Sequence, residues 1–274
     1  MYPTIDLGFI TIPTYGLCAA IGMVAAFIVL MLTSKYRNLK SDSLFYMSLI
    51  CLLGGFLGAK LLYIIVELDT FIKDPSQLLY AITGGFVFYG GLIGGIITGI
   101  IACRIKKFNT LDVADTVAAP LVLGQAFGRI GCYFAGCCYG CIVDKSHPLA
   151  MCDIHGFYRM PVQLMEAGAL FIMTIVLIVV LKKVKRSGFT AGLYLVLYSV
   201  WRFIIEFFRA DDRGNVGALS TSQLISLVLF PIGIALILYS FRDKLFPSKY
   251  KAVIAKPETS SVEDDTSPES DRAE

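Results

Sequence analysis

Residues 162–186, VQLMEAGALFIMTIVLIVVLKKVKR, decide the fold of this chain. Val162 to Leu181 form an almost uninterrupted apolar run, and about 20 such residues are what an α-helix needs to cross a bilayer. Basic residues follow at once: Lys182, Lys183, Lys185 and Arg186. The run also holds Glu166, and carboxylates inside a membrane span are costly and commonly functional. The stretch therefore predicts a membrane helix with a functional group near its start.

The composition extends this prediction to the whole chain. Hydrophobic residues make up 56% of 274, and charged residues make up 16%, against about 25% in soluble domains. Mean hydropathy is +0.71. Pro120 and nearby glycines predict that the fourth span is broken or partly re-entrant. The seven predicted spans are Tyr15–Leu32, Leu44–Val66, Gly84–Cys103, Val117–Phe134, Val162–Leu181, Phe189–Phe208 and Ser222–Ser240.

Basic residues set the expected orientation. The net charge of +3 includes an acidic tail from Pro257, and without that tail 23 basic and 14 acidic residues remain. Sixteen of the 24 basic residues follow spans one, three, five or seven. By the positive-inside rule, the N-terminus is outside and the C-terminus is cytoplasmic. A basic excess of this kind belongs to cytoplasmic loops, so no nucleic acid partner is expected.

The chain is expected to hold one folded domain. Residues 1–246 form the seven-helix membrane domain. Residues 247–274 are rich in Ser, Pro, Glu and Asp, which predicts a disordered acidic cytoplasmic tail. No internal repeat is evident in the sequence that would mark a transporter built from two halves.

Ionisable and polar side chains lie inside or at the ends of the predicted spans, where a charge costs about 2.5–3.5 kcal/mol near the bilayer centre. The predicted topology places all of them at the depth of the outer leaflet. The charged members are Lys60, Arg129, Glu166, Arg202, Glu206 and Arg209. The uncharged members are Tyr15, Tyr63, Tyr89, Gln163 and Tyr198, and Tyr194 shares a helix face with Tyr198. Together they predict a site for an anion.

Structural interpretations remain open for several of these residues. Lys60 could extend its ammonium to the interface, and Arg202 and Glu206 could neutralise each other at i and i+4. Tyr15 and Tyr89 could be interfacial tyrosines. Close helix packing explains most of the glycine pairs. Arg129 lies between glycines with little chance of local neutralisation, so a functional role is favoured there.

The sequence around these residues resembles the prolipoprotein diacylglyceryl transferase family. The central match is Gly128-Arg129-Ile130-Gly131, which opens the long family signature that closes at Gly140. The other matches run in family order between Tyr15 and Ser240. They are Tyr15-Gly16-Leu17, Gly58-Ala59-Lys60-Leu61 through Tyr63, Gly90 to Gly95, Pro161 with Gln163 and Glu166, Arg202-Phe203, Glu206 to Arg209, Leu219-Ser220 and Ser222-Gln223.

The resemblance implies transfer of the diacylglyceryl group of phosphatidylglycerol to the lipobox cysteine of a prolipoprotein signal peptide. It implies a multi-pass protein of the bacterial cytoplasmic membrane, with no cofactor and no metal. Catalysis is assigned to Arg129, Arg202, Tyr89 and Tyr15. Binding of phosphatidylglycerol is assigned to Arg129, Lys60, Tyr63, Gly90, Gly91, Gly94, Gln163, Glu166, Tyr198, Glu206 and Arg209. The alternative is a transporter or binding protein for an anionic lipid or metabolite, disfavoured because the charges lie at one depth.

The chain departs from the family pattern at three positions. Tyr89 stands where many members have histidine, the usual candidate base. Because an unperturbed phenol has a pKa near 10, we expect Tyr89 to hydrogen-bond the headgroup or the incoming thiol. Cys132 stands where asparagine is common, and Cys137 stands where an acidic residue is common.

Eight cysteines complete the unusual features. Three lie inside spans, where packing explains them. Five cluster at the outer end of span four and its loop: Cys132, Cys137, Cys138, Cys141 and Cys152. Packing or a structural disulfide is favoured for these five, ahead of direct chemistry and of metal binding, because no second pair at zinc-finger spacing accompanies Cys138 and Cys141. Cys132 is expected to be a neutral packing residue.

Overall fold

The structure is a computed structural model that describes residues 3–6, 8, 11–73, 84–153, 156–211, 215–216 and 219–242. The chain divides into two compact units, residues 1–240 and 241–274. The predicted acidic tail, residues 247–274, lies outside the described residues.

The described residues of the first unit form seven long helices. They are α1 (Thr14–Ser34), α2 (Ser41–Val66), α4 (Phe88–Lys106), α5 (Thr110–Ala135), α6 (Val162–Lys183), α7 (Phe189–Ile205) and α8 (Thr221–Ser240). All seven are long and apolar enough to cross a membrane, so the prediction of an all-α polytopic membrane protein is confirmed. Short elements precede or connect these helices. The helical ones are α3 (Leu68–Lys73) and two 3-10 turns, Lys35–Arg37 and Glu206–Phe208. The strands form antiparallel pairs: β1 (Thr4–Asp6) with β2 (Thr11–Pro13), β3 (Met151–Cys152) with β4 (Tyr158–Arg159), and β5 (Asn215–Val216) with β6 (Leu219–Ser220).

Two sequence predictions about helix shape were wrong. The fourth span is one continuous helix, α5, with Pro120 buried inside it. Membrane helices accept proline because neighbouring helices and local adjustments satisfy the freed carbonyl. The third span begins at Phe88 and not at Gly84, since Gly85 has a φ of 67° and Val87 is extended. Tyr89 therefore lies in the first turn of α4.

Glycines allow α2 and α4 to pack backbone to backbone. A Cβ at Gly90 or Gly94 would collide with the carbonyls of Gly58 or Gly54, and a Cβ at Gly91 would lie 3.3 Å from the Gly55 carbonyl. The packing interpretation of these glycines is confirmed.

Two buried clusters form the core of the bundle. One joins α5 and α6 through Ala118, Ala119, Val122, Ala126, Leu170 and Leu177. The other joins α1, α2 and α4 through Leu30, Leu44, Met47, Ala102 and Cys103. The second cluster lies where α1 ends and α2 begins, so it holds these helices together at one end of the bundle.

A buried ion pair lies at that same end. Asp115 of α5 accepts hydrogen bonds from Arg37 Nη2 at 2.6 Å and from the N–H groups of Gly188 and Ala191 at 2.9 and 2.8 Å. Helix α7 has no side-chain cap of its own, so Asp115 caps it from the neighbouring helix. The expectation that the unusual polar residues lie at one depth was therefore incomplete. Asp115 was not among the polar residues predicted inside the spans, because it precedes the predicted start of span four.

Candidate active site

Three arginines meet one buried glutamate at the opposite end of the bundle. The Glu166 side chain, on α6, is 1% exposed. Its Oε1 lies 2.9 Å from Arg129 Nη2 and 3.2 Å from Arg202 Nη1. Its Oε2 lies 3.5 Å from Arg209 Nη1. Glu166 thereby links α6 to α5, to α7 and to the segment after α7.

Two further carboxylates complete what we call the arginine cluster: Arg129, Arg202, Arg209, Glu166, Glu206 and Asp211. Glu206 Oε2 lies 3.0 Å from Arg202 Nη2, which confirms the i, i+4 ion pair as a contact. Asp211 accepts from Arg209 Nε at 3.0 Å and from Nη2 at 2.8 Å. Burial opposes the charge on Arg209, but its bonds to Asp211 hold its pKa above the ordinary value.

Charge balance limits how the predicted anion site can hold its ligand. Three guanidinium groups face three carboxylates, so their formal charges cancel. Neutralisation has a physical reason, since an uncompensated buried charge costs several kcal/mol. An anion must therefore bind through hydrogen-bond donors that these ion pairs leave available.

Arg129 is the arginine most accessible to a ligand. Its side chain is 19% exposed, against 7% for Arg202 and 2% for Arg209. Its ion pair to Glu166 uses Nη2, and Tyr198 hydrogen-bonds the same side chain. Among the described residues of the cluster, Arg209 Nη1, Glu166 Oε2 and Glu206 Oε2 are buried without a hydrogen bond, but each lies within ion-pair distance of an opposite charge.

The stretch after α5 wraps around the cluster. Gly140 forms a bridge with Arg209, and Cys141 N donates to Phe208 O at 3.0 Å. A Cβ at Gly140 would lie 3.0 Å from Phe208 O, which explains why glycine closes the signature. Gln163 Nε2 donates to Cys137 O at 2.8 Å and holds the same stretch to α6.

Two cluster contacts were missed by the sequence reasoning. Arg202 Nη2 donates to Ser222 Oγ at 2.9 Å, which ties α7 to the first turn of α8. Asp211 is the bidentate partner of Arg209. Ser222 was matched only as part of the family resemblance, and Asp211 lies in a loop where an acidic residue is unremarkable.

The predicted tyrosines and Lys60 divide between two places. Tyr15, in the first turn of α1, packs against Gly131 of α5, where a Cβ would lie 3.0 Å from the Tyr15 ring, and Gly131 follows Arg129 by two residues. Lys60 Nζ donates to Gly84 O and lies 4.1 Å from the Phe86 ring centroid. Tyr63 packs against Phe71, and Tyr89 packs against Phe88. The described contacts of Lys60, Tyr63 and Tyr89 are thus within the region of α2 to α4, together with Gly90, Gly91 and Gly94.

Three cysteines form a second feature, which we call the thiol cluster. The sulfurs of Cys132, Cys137 and Cys138 all lie within 4.8 Å of one another. Cys132 lies in the last turn of α5, which ends at Ala135, and a left-handed cap at Gly136 turns the chain back. The structure describes all eight cysteines and joins none of them in a disulfide. Partial removal of its sulfur from water raises the pKa of the Cys137 thiol, although the residue is exposed, and the neighbouring Cys138 sulfur adds to the effect.

Comparisons with known proteins identify the family of this chain. The family model described as prolipoprotein diacylglyceryl transferase matches residues 3–239. A Clostridium tetani protein named phosphatidylglycerol–prolipoprotein diacylglyceryl transferase is 40% identical over 227 residues, covering 80% of this chain and 90% of the relative. A Clostridium perfringens protein named phosphatidylglycerol–prolipoprotein diacylglyceryl transferase 2 is 39% identical over 228 residues, covering 81% of this chain and 89% of the relative. A Staphylococcus haemolyticus relative with the first name is 30% identical over 255 residues, covering 90% of each chain. The chain therefore belongs to the prolipoprotein diacylglyceryl transferase family.

Proposed function

We propose that this chain transfers the diacylglyceryl group of phosphatidylglycerol to the thiol of a prolipoprotein lipobox cysteine, the first step of lipoprotein maturation. The observation that carries the proposal is the arginine cluster, in which Glu166 holds Arg129, Arg202 and Arg209 at one end of an apolar bundle. Family membership favours this transferase over the transporter alternative.

The orientation of the chain follows from its basic loops. The arginines and lysines after α1, α4 and α6 lie at the end of the bundle opposite to the arginine cluster. The positive-inside rule makes that end cytoplasmic. The arginine cluster then lies in the outer leaflet of the bacterial cytoplasmic membrane, where an exported signal peptide presents its cysteine.

Arg129 is the residue that contacts the phosphate in this proposal. Negative charge grows on the phosphate as the bond from the glyceryl carbon to the ester oxygen breaks, and a fixed guanidinium stabilises that charge. Glu166 fixes Arg129, while Arg202, Arg209 and Glu206 fix the surrounding network. Tyr15 and Tyr198, both close to Arg129, supply hydroxyl groups to the headgroup.

The second group of predicted residues belongs to the α2–α4 pair. The buried core that joins this pair to α1 lies at the cytoplasmic end of the bundle in this orientation. We assign the entry of phosphatidylglycerol to the other end of the pair, where Lys60, Tyr63 and Tyr89 meet the headgroup. Gly90, Gly91 and Gly94 keep the two helices in contact there, and Gln163 supports the site through Cys137.

The arginine assignment has a direct test. Arg129→Ala and Arg202→Ala should each abolish transfer from phosphatidylglycerol to a lipobox peptide while the protein remains inserted and folded. Arg→Lys should restore little activity, because lysine lacks the planar fork that bonds phosphate and carboxylate in pairs. Arg104→Ala, at the far end of α4, is the matched control and should leave transfer intact. Full activity in both cluster alanine variants would refute the assignment.

A further inference from the structure

We propose that Cys132, Cys137 and Cys138 bind a zinc ion whose fourth coordination position takes the acceptor thiol. This inference rests on the proposed transferase function and adds the group that activates the acceptor. It revises the sequence expectation of no metal and of a packing role for Cys132.

The geometry of the thiol cluster suits zinc. Its three sulfurs lie within 4.8 Å of one another, and a tetrahedral zinc with bonds of about 2.3 Å needs sulfurs about 3.8 Å apart. Rotation about the side-chain bonds can supply a change of this size. The remaining outer cysteines, Cys141 and Cys152, are not part of the cluster.

The number of ligands distinguishes a reactive site from a structural one. Structural zinc sites are closed by four protein ligands, whereas catalytic sites have three and leave one position open. The described residues supply three clustered thiols. Cys137 is exposed, so an incoming peptide can reach the open position.

The chain also needs a group with this chemistry. The acceptor must react as a thiolate, and an ordinary thiol has a pKa near 8.5. Among the described residues the histidine is His147, which accepts a hydrogen bond from Leu149 N in the loop after α5. A thiol that coordinates zinc is deprotonated outright.

The thiol cluster lies next to the proposed phosphate site. Cys132 follows Arg129 by less than one helical turn. Gln163, which holds the Cys137 carbonyl, lies on the same helix as Glu166, the partner of Arg129. A thiolate held at the cluster would therefore meet a phospholipid whose phosphate contacts Arg129.

The proposed step balances as follows. The acceptor thiol binds zinc and releases its proton to solvent. Its sulfur attacks the glyceryl carbon that carries the phosphate ester, so that a carbon–sulfur bond forms as the carbon–oxygen bond breaks. The electron pair of the broken bond passes to the phosphate oxygen, and glycerol phosphate leaves. The thioether product is a weak ligand and leaves the zinc, which remains Zn²⁺ throughout.

Metal content is the first readout. The full chain is purified anaerobically in lipid nanodiscs, together with the triple variant Cys132→Ser/Cys137→Ser/Cys138→Ser and the control Cys141→Ser/Cys152→Ser. We expect about one zinc per chain in the wild type and the control, and almost none in the triple variant. Equal zinc in all three proteins, or a disulfide within the thiol cluster of the anaerobic wild type, would overturn the proposal.

Acceptor coordination is the second readout. Co²⁺ replaces zinc, and its sulfur-to-metal absorption should strengthen when a lipobox peptide is added. The same peptide with serine for cysteine should cause no change. An identical spectrum with both peptides would show that the metal does not coordinate the acceptor thiol. That result would refute the inference even if zinc is bound.

Transfer activity separates this inference from the proposed function. Chelation of zinc from the wild type should slow transfer at least about a hundredfold, the scale of a lost base, and added zinc should restore it. The chelation arm needs no variant, so misfolding of the triple variant would not obscure it. Rapid transfer by zinc-free wild type would refute the zinc site and leave the transferase standing. Absence of transfer in the zinc-loaded wild type would refute the transferase itself.

Discussion

Glu166→Gln is the substitution that most specifically disturbs the arginine cluster. The change keeps the size of the side chain and removes its charge. Glu166 lies 2.9 Å from Arg129 and 3.2 Å from Arg202. Glu206 remains for Arg202, and Asp211 remains for Arg209. Among the described residues, Glu166 is the carboxylate that pairs with Arg129, so Arg129 should be displaced most.

The expected magnitude follows from the burial of the pair. Removing one partner of a buried ion pair costs about 3–5 kcal/mol, and the glutamine carbonyl still accepts one hydrogen bond, which favours the lower value. If that loss appears in the transition state, about 3 kcal/mol corresponds to a rate about a hundredfold lower. Because the Glu166 side chain is buried against Arg129, its proposed role is to position that arginine, and we expect kcat to fall more than KM rises.

The assay measures transfer from phosphatidylglycerol in nanodiscs to a synthetic lipobox peptide, with kcat and KM determined separately. Glu67→Gln is the matched control, because Glu67 lies after α2 and accepts a bond from Thr70 outside the cluster. Glu166→Asp keeps the charge on a shorter side chain and should recover part of the rate. Transfer by Glu166→Gln within about twofold of wild type, with the protein folded, would refute the positioning argument.

Three further predictions concern other parts of the chain. Asp115→Ala should lower the free energy of unfolding by about 3–5 kcal/mol, measured in detergent against the exposed control Asp144→Ala; equal stability of the two variants would refute the remote cap. Tyr89→Phe should slow transfer without abolishing it, and Tyr89→His should be tolerated; complete loss in Tyr89→Phe with headgroup binding preserved would make the hydroxyl essential. A reporter fused after Arg186 should be cytoplasmic and one near Lys145 external; a cytoplasmic signal near Lys145 would reverse the orientation.

The sequence predicts the depth of a residue in the membrane better than it predicts which residues that residue contacts. Hydropathy located all seven helices, and position along a helix brought Arg129, Glu166 and Arg202 to one level, where the structure pairs them. The same reasoning also brought Lys60 and Tyr89 to that level, yet their described contacts lie in the α2–α4 region. Depth follows from 1.5 Å of rise per residue, whereas the neighbour across the bundle depends on which helices pack together.

Features that depend on backbone geometry could not be predicted from the sequence either. The continuity of α5 through Pro120 depends on packing around it, and the capping of α7 by Asp115 joins residues more than 70 positions apart. The thiol cluster forms because Gly136 turns the chain back at the end of α5 and brings Cys137 and Cys138 toward Cys132. Spacing along the sequence gave no sign of this reversal.

The mass of a lipobox peptide after incubation with the purified, zinc-loaded chain and phosphatidylglycerol tests the central claim most directly. The account predicts that the cysteine gains one diacylglyceryl group through a thioether, that glycerol phosphate is released in equal amount, and that Arg129→Ala gives neither product. An unmodified peptide in the presence of the folded wild-type protein would contradict it.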